Sequence, residues 1–264
     1  MITNKKYNIN GINTNIVLIS DIHYYNKKDI KRLNKVYDNI NKIKPNFICI
    51  PGDILDSAKI SDIDLFISWL TKLSYISKII ITLGNHEYYV SKKESIFKLN
   101  EEHINKLSNI NNVYLLRNNN IIIDNINFIG LELPIDYYME YGESIESFNN
   151  NIKNIKGNKK YYNILLCHSP VCVCNKDIIN KLNVDLILCG HMHGGMIPNL
   201  FRKIFNRRGL ISPTKKLFPN NIYGHIKINN TDIIITSGIK VLSNSHFKFI
   251  PNLYSSEVVE IKLK

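Results

Sequence analysis

The sequence predicts an α/β chain in which parallel strands carrying helices on their faces are followed by antiparallel strands and a second, closing sheet. Three observations carry that expectation. From Asn15 to Leu107 short apolar runs alternate with stretches of helical periodicity, the pattern of strands joined by crossover helices. Five apolar runs end in a sharp turn bearing Asp, Asn or His, and strand carboxyl ends are where open α/β sheets place ligands. From Ile222 onward short apolar runs are separated by turn residues, as in a sheet of hairpins.

The run Asn15 to Ser20 reads as the first strand and delivers Asp21-Ile22-His23. Residues two apart on an extended backbone point to one side, so Asp21 and His23 are spaced to grip one ion. A turn aspartate beside a surface histidine has the same spelling. Lys27 to Lys44 reads as a helix, with Ile30, Leu33, Val36, Tyr37, Ile40 and Ile43 on one face. Phe47-Ile48-Cys49-Ile50 is the next strand, and Pro51-Gly52 ends it and frees the backbone for a sharp turn. Asp53 follows as a metal-binding group, with Asp56 three residues on as an orienting one. Asp62 is placed to cap the helix that buries Leu65, Phe66, Trp69, Leu70 and Leu73. Lys78 to Leu83 is the third strand, ending in Gly84-Asn85-His86-Glu87.

Lys93 to Leu107 reads as a helix and Val113 to Leu116 as a short strand. Asp124-Asn125 joins two further runs as a two-residue hairpin. Glu132 to Gly157 is acidic and aromatic, then helical, and shows no site. Tyr162 to Cys167 delivers His168-Ser169-Pro170. After a helix over Lys176 to Leu182, Val184 to Cys189 delivers Gly190-His191-Met192-His193-Gly194-Gly195. The glycines there let backbone come close while two imidazoles reach neighbouring positions. Residues 200–218 interleave Arg202, Lys203, Arg207, Arg208, Lys215 and Lys216 with apolar side chains. That cluster suits a membrane surface or the anionic tail of a substrate, with Arg207 and Arg208 as candidate substrate-binding residues; an ordered basic loop without function is the other reading. The strands at the end of the chain, Glu257 to Leu263 included, are expected in the second sheet.

The chain has 264 residues, 44% of them hydrophobic, and no linker-like stretch, so residues 1–264 are expected to form one domain. The formal net charge of +12 favours anionic partners, although scattered lysines are equally a solvated surface. No dedicated nucleic-acid module accompanies the charge. Five cysteines, an odd number, argue against a disulfide scaffold and for a reducing compartment. Residues 1–15 are polar, and no run is long enough for a signal peptide or membrane span. Cytoplasmic residence, peripheral to a membrane if the basic cluster binds one, is the expectation.

Pooled, the strand ends offer Asp21, His23, Asp53, Asn85, His168, His191 and His193. Oxygen and imidazole donors without thiolate suit Mn, Fe or Zn ions. The set is too large for one ion. A bridging Asp53 lets two divalent ions sit roughly 3.5–4 Å apart, where they clamp a phosphoryl group and lower the pKa of a bridging water.

The order Asp-x-His, Gly-Asp-x-x-Asp, Gly-Asn-His-Glu, His-x-Pro and Gly-His-x-His, running from Asp21 to His193, resembles the calcineurin-like metallophosphoesterase superfamily. The resemblance implies two packed mixed β-sheets flanked by helices, a four-layer αββα fold with metals at one sheet edge. It implies that Asp21, His23, Asp53 and His193 hold a first ion, and that Asp53, Asn85, His168 and His191 hold a second. His86 is then the unligated histidine near the leaving oxygen, steadied by Asp56. Within the superfamily, Gly-Asn-His-Glu-Tyr-Tyr and Gly-His-x-His-Gly-Gly look like the bacterial phosphohydrolases related to UDP-diacylglucosamine hydrolases. That subgroup often shows Gln after the paired glycines and an N-terminal membrane segment; here the position is Met196, and the polar residues 1–15 lead us to expect no such segment. The implied activity is hydrolysis of a phosphomonoester or phosphodiester by attack of a metal-bridging hydroxide. A pyrophosphatase acting on a nucleotide-linked lipid headgroup and a catalytically inactive, metal-bound interaction module are the alternatives.

Overall fold

The computed structural model describes residues 2–56, 60, 63–88, 100–138, 145–153, 155–197, 204, 208–210, 217, 219–240 and 256–264. In chain order the strands are β1 (Ile2–Ile9), β2 (Thr14–Leu18), β3 (Phe47–Pro51), β4 (Lys78–Thr82), β5 (Val113–Leu115) and β6 (Asn119–Ile123). They continue as β7 (Ile126–Leu131), β8 (Tyr162–Cys167), β9 (Leu186–Cys189), β10 (Gly224–Ile228), β11 (Thr231–Ile235) and β12 (Ser256–Leu263). The helices are α1 (Ile30–Ile43), α2 (Asp64–Ser74), α3 (Glu101–Ser108), α4 (Ile135–Tyr138), α5 (Ile145–Asn151) and α6 (Lys176–Leu182).

Two six-stranded sheets have the orders β1-β12-β2-β3-β4-β5 and β10-β11-β9-β8-β7-β6. Strands β2 to β5 run parallel to one another, as do β7, β8, β9 and β11; β12 against β2, β6 against β7 and β10 against β11 are antiparallel. Both sheets are therefore mixed, and helices cover their outer faces. Period-two alternation divides each central strand between two cores. Phe47 and Cys49 of β3 meet Ile164 and Leu166 of β8 between the sheets. Ile48 and Ile50 face Leu33, Val36 and Ile40 of α1 with Phe66 and Trp69 of α2. Leu165 and Cys167 face Phe148 of α5 and Ile178 and Leu182 of α6. Strands buried on both faces read as unbroken apolar runs, which is why β3, β4, β8 and β9 are visible in the sequence.

The chain ends depart from expectation. The polar N-terminus contains β1, which pairs in parallel with β12 from Ile2↔Ser256 to Ile9↔Leu263. As an edge strand it is only partly buried, so it carries no apolar run. The last strand, β12, lies in the first sheet between β1 and β2 rather than in the second. Its Val259, Ile261 and Leu263 fill the space between the sheets while Val258 faces the helices. Asp62 and residues 93–99 lie outside the described residues; α2 has Ile63 at its N-cap without a side-chain bond. The 124–125 hairpin forms, with φ of 51° at Asp124 and 65° at Asn125, the left-handed pair a two-residue turn requires.

Candidate metal centre

The carboxyl ends of β2, β3, β4, β8 and β9 bring the predicted donors together. Five of them, Asp21, His23, Asp53, His191 and His193, have φ of 51°, 45°, 50°, 68° and 46°. A left-handed backbone costs a residue with a side chain about 1–2 kcal/mol. Elsewhere among the described non-glycine residues it occurs at Asn, Asp and Lys44, so three histidines in that conformation mark a strained site. Cross-loop bonds hold the strain: Asp21 N–H donates to Gly52 O (3.3 Å), His23 N–H to Asp53 O (3.0 Å) and Tyr24 N–H to Ile54 O (2.9 Å). Gly52 is required here, because a Cβ on it would stand 2.6 Å from His168 Nδ1.

One donor group comprises Asp21, His23 and His193, another His23, Asp53 and His86, and a third Asp53, His168 and His191; within each the ligand atoms lie within 4.8 Å of one another. Asp53 Oδ2 is 3.6 Å from His23 Nε2 and 3.1 Å from His168 Nε2. His193 Nε2 is 3.7 Å from Asp21 Oδ1. Asn85 Oδ1 is buried without a hydrogen-bond partner. A buried amide oxygen left unbonded is costly, and beside these carboxylates and imidazoles a hard or borderline divalent cation satisfies it. The residues present therefore fit a divalent metal.

Electrostatics agree with a site that accepts cations. Burial opposes the charge on Asp53, but His168, His86 and His23 together hold its carboxyl well below the usual range. Burial likewise opposes protonation of His168, yet the charge and hydrogen bond of Asp53 push it up to about 9. Burial dominates at His193, lowering it to about 4, so its imidazole is neutral and available as a ligand.

The orienting role expected of Asp56 needs correction. His86 Nδ1 lies 3.0 Å from the backbone carbonyl of Asp56, not its carboxylate. The carboxylate turns to His23 instead, with Oδ1 3.3 Å from Nδ1. The sharp turn after β3 points the Asp56 carbonyl and side chain in different directions, which spacing alone cannot reveal. Burial opposes protonation of His86, but Asp53 and the Asp56 carbonyl outweigh it and raise its pKa.

Three participants were not legible as such. The buried Glu87 carboxylate accepts four backbone N–H bonds, from Asp53 (3.2 Å), Ile54 (2.7 Å), Leu55 (3.0 Å) and Gly84 (2.7 Å). It ties the turn after β3 to the turn after β4, and its place in Gly-Asn-His-Glu was the available signal. Tyr138, in a segment that shows no site in sequence, sets its ring edge-on to His191 at 5.3 Å and lies 6.1 Å from His168. Lys240 is buried behind His23, and nothing in its sequence neighbourhood points there. Arg207 lies outside the described residues. Arg208 is exposed and precedes Gly209 and Leu210, whose N–H donates to Gly195 O at 3.0 Å. Among the described residues no helix is long and apolar enough to cross a membrane.

The chain is similar in sequence to known metallophosphoesterases. The chain is 28% identical over 184 residues to an uncharacterized metallophosphoesterase of Campylobacter jejuni, covering 69% of this chain and 44% of that protein. It is 29% identical over 196 residues to a transmembrane protein with metallophosphoesterase domain of Bos taurus, covering 69% and 40%. The chain thus spans about two fifths of the length of such relatives. A solved dimetal phosphatase of Danio rerio superposes with a TM-score of 0.46 at 12% identity, over 86% of this chain and 88% of that one. The family model described as calcineurin-like phosphoesterase matches residues 14–195, the stretch that carries every donor named above, and the chain belongs to that family.

Proposed function

We infer that this chain hydrolyses a phosphate monoester or diester with two divalent ions, Mn, Fe or Zn, held at the five strand ends. The observation that carries it is the position of Asp53, whose Oδ2 faces His23 Nε2 on one side and His168 Nε2 on the other. Asp21, His23, Asp53 and His193 would hold one ion, and Asp53, Asn85, His168 and His191 the other. When bound, such a pair neutralises phosphoryl charge and makes a water acidic enough to supply hydroxide near neutral pH.

The chain's own residues do the rest. Glu87 and the cross-loop bonds keep the donors in place before substrate arrives, so little reorganisation accompanies reaction. The Asp56 carbonyl is an acceptor only, so His86 Nδ1 carries a hydrogen and Nε2 is the atom that gains or loses the acid proton. The raised pKa of His86 suits donation of that proton to the leaving oxygen. The donor group of His23, Asp53 and His86 also admits His86 as a ligand, which the comparison of leaving groups in the Discussion separates from the acid role.

A metal-supplemented assay of aryl and alkyl phosphomonoesters, phosphodiesters and nucleotide pyrophosphates tests the activity. Hydrolysis is expected to require added divalent ions, and Asp53→Asn to empty both positions and abolish it. Full two-ion occupancy in Asp53→Asn would refute the bridging role, and turnover by the chelated wild type at the metal-loaded rate would refute the whole assignment.

A second reading, cleavage of a nucleotide-linked lipid headgroup as in hydrolases of UDP-diacylglucosamine, is favoured by one observation. Ile204 and Leu217, at 76% and 70% exposure, sit among the basic residues of 200–218, and Leu210 ties that segment to the His193–Gly195 turn. Arg207 and Arg208 would then bind the anionic part of an amphiphile, at a membrane surface if the substrate is a lipid. Charge reversal at both should raise KM more than it lowers kcat; an unchanged KM on every anionic substrate would remove them from binding.

A further inference from the structure

Behind the first donor group, three consecutive carbonyls of the ligand-bearing turn are each bonded from outside it. Asp21 O accepts from the backbone N–H of Lys240 (2.9 Å), Ile22 O from Arg32 Nη2 (3.0 Å) and His23 O from Lys240 Nζ (3.1 Å). Ile239 N–H adds a bond to Ser20 O (2.9 Å). Gly238 makes this approach possible: its φ is +85°, and a Cβ there would stand 2.7 Å from Asp21 Cβ. Lys240 is 5% exposed. A buried ammonium must be paired, and besides the His23 carbonyl its Nζ faces Asp56 Oδ1 at 3.7 Å. Asp56 Oδ1 in turn lies 3.3 Å from His23 Nδ1, an ion-pair distance, and both atoms are buried with no hydrogen bond to any other group.

We propose that Lys240 is a positioning residue for the metal centre: with Arg32 it clamps the Asp21–His23 turn, and through Asp56 it holds His23 with the hydrogen on Nδ1 and the lone pair on Nε2. The assignment rests on His23 being a ligand of the first ion, as inferred above. Both ring nitrogens face a carboxylate, Nδ1 that of Asp56 at 3.3 Å and Nε2 that of Asp53 at 3.6 Å. Asp53 Oδ2 is already met by His168 Nε2 at 3.1 Å, whereas Asp56 Oδ1 has no other imidazole among the described residues, so the single hydrogen of a neutral ring belongs on Nδ1. Nε2, on the side of Asp53 Oδ2, is then the ligating atom. Outer partners of this kind fix the tautomer and ring orientation of a metal-bound histidine. The clamp addresses the other cost. Asp21 and His23 both have left-handed backbone, and a turn that must be strained to present two ligands needs bonds that over-determine it. Lys240 comes from beyond the family-matched stretch of residues 14–195, so the device belongs to the closing part of this chain.

The test uses the full chain and two variants, Lys240→Met and Asp56→Asn. Heteronuclear NMR of the imidazole nitrogens in the metal-free wild type is expected to show His23 with hydrogen on Nδ1. In both variants His23 should populate the other tautomer. Titration with Mn²⁺ or Zn²⁺, read by calorimetry, should show one of the two positions weakened about 10–100-fold, while the other keeps its affinity and certifies folding. Should Lys240→Met fail to fold, the wild-type tautomer and Asp56→Asn decide. A wild-type His23 carrying its hydrogen on Nε2 overturns the inference, as does an unchanged tautomer and affinity in the folded variants. A wild type that binds neither metal overturns the ligand assignment, and the inference with it.

Discussion

At the scale of single residues, the centre separates groups that look equivalent in sequence. His86 and His23 are both histidines beside a strand-end acid, and their rings lie 4.5 Å apart. The Asp56 backbone serves one and its side chain the other. The two substitutions should therefore leave different kinetic traces. An alkoxide departs poorly without a proton, whereas a nitrophenolate scarcely needs one. His86→Ala should cut alkyl ester hydrolysis by about 10²–10⁴-fold, spare activated aryl esters and keep both metals. Asp56→Asn leaves the carbonyl on His86 in place, so its losses should be equal on the two ester classes and accompanied by weaker metal binding. Paired rate measurements with metal analysis check this. Equal losses for His86→Ala would end the general-acid role, and loss of an ion would make it a ligand.

At the scale of elements, the site depends on two turns behaving as one. The turns after β3 and β4 belong to parallel neighbours, and Glu87 bonds the backbone of both. Burial raises the pKa of Glu87 first and Asp53 raises it further, although the N–H groups of Leu55 and Gly84 oppose the shift. Removing the side chain would leave buried N–H donors of four residues without their acceptor, each worth about 1–3 kcal/mol when unsatisfied. Glu87→Ala is expected to lose at least about 3 kcal/mol of stability and to weaken metal binding at both positions, since Asp53 moves with its turn. Denaturant titration and metal analysis give both numbers; wild-type stability in the variant would mean that the turns are held by other bonds.

At the scale of the whole molecule, protons and metal compete for a centre to which both sheets contribute. Asp21, His23, Asp53 and Asn85 follow strands of the first sheet, and His168, His191 and His193 follow strands of the second. The folded-state pKa of His168, about 9, lies above its ordinary 6.5. Its pairing with Asp53 thus stabilises the metal-free fold fully below pH 6.5 and is lost as pH rises through about 9. The depressed His193, near 4, is neutral throughout that window and changes nothing in it. As a ligand, His168 would have to be unprotonated, so metal affinity should rise over the same range. With chelator, Tm should fall between pH 6.5 and 9; with saturating metal, the gap between loaded and stripped protein should widen. A ligand at a hundred times its Kd stabilises by about 2.7 kcal/mol, which a melting curve resolves. A gap independent of pH would mean that His168 is not displaced from its proton by metal.

The sequence by itself determined the strands buried on two faces and the order of polar strand ends, because each is a local pattern of residue type and period. Its family resemblance anticipated the two-sheet architecture. Tertiary structure alone decided what is set by contacts between distant segments. It made β1 a strand, because an edge strand needs a partner and not an apolar run. It put β12 in the first sheet, where the space between β1 and β2 accepts its two-sided apolar pattern. It turned the Asp56 carboxylate to His23 and left its carbonyl to His86, since one sharp turn presents backbone and side chain in different directions. It also brought Lys240 behind His23 across more than two hundred residues of chain, a placement that depends on how the second sheet's closing turn folds back onto the first and that no motif could announce.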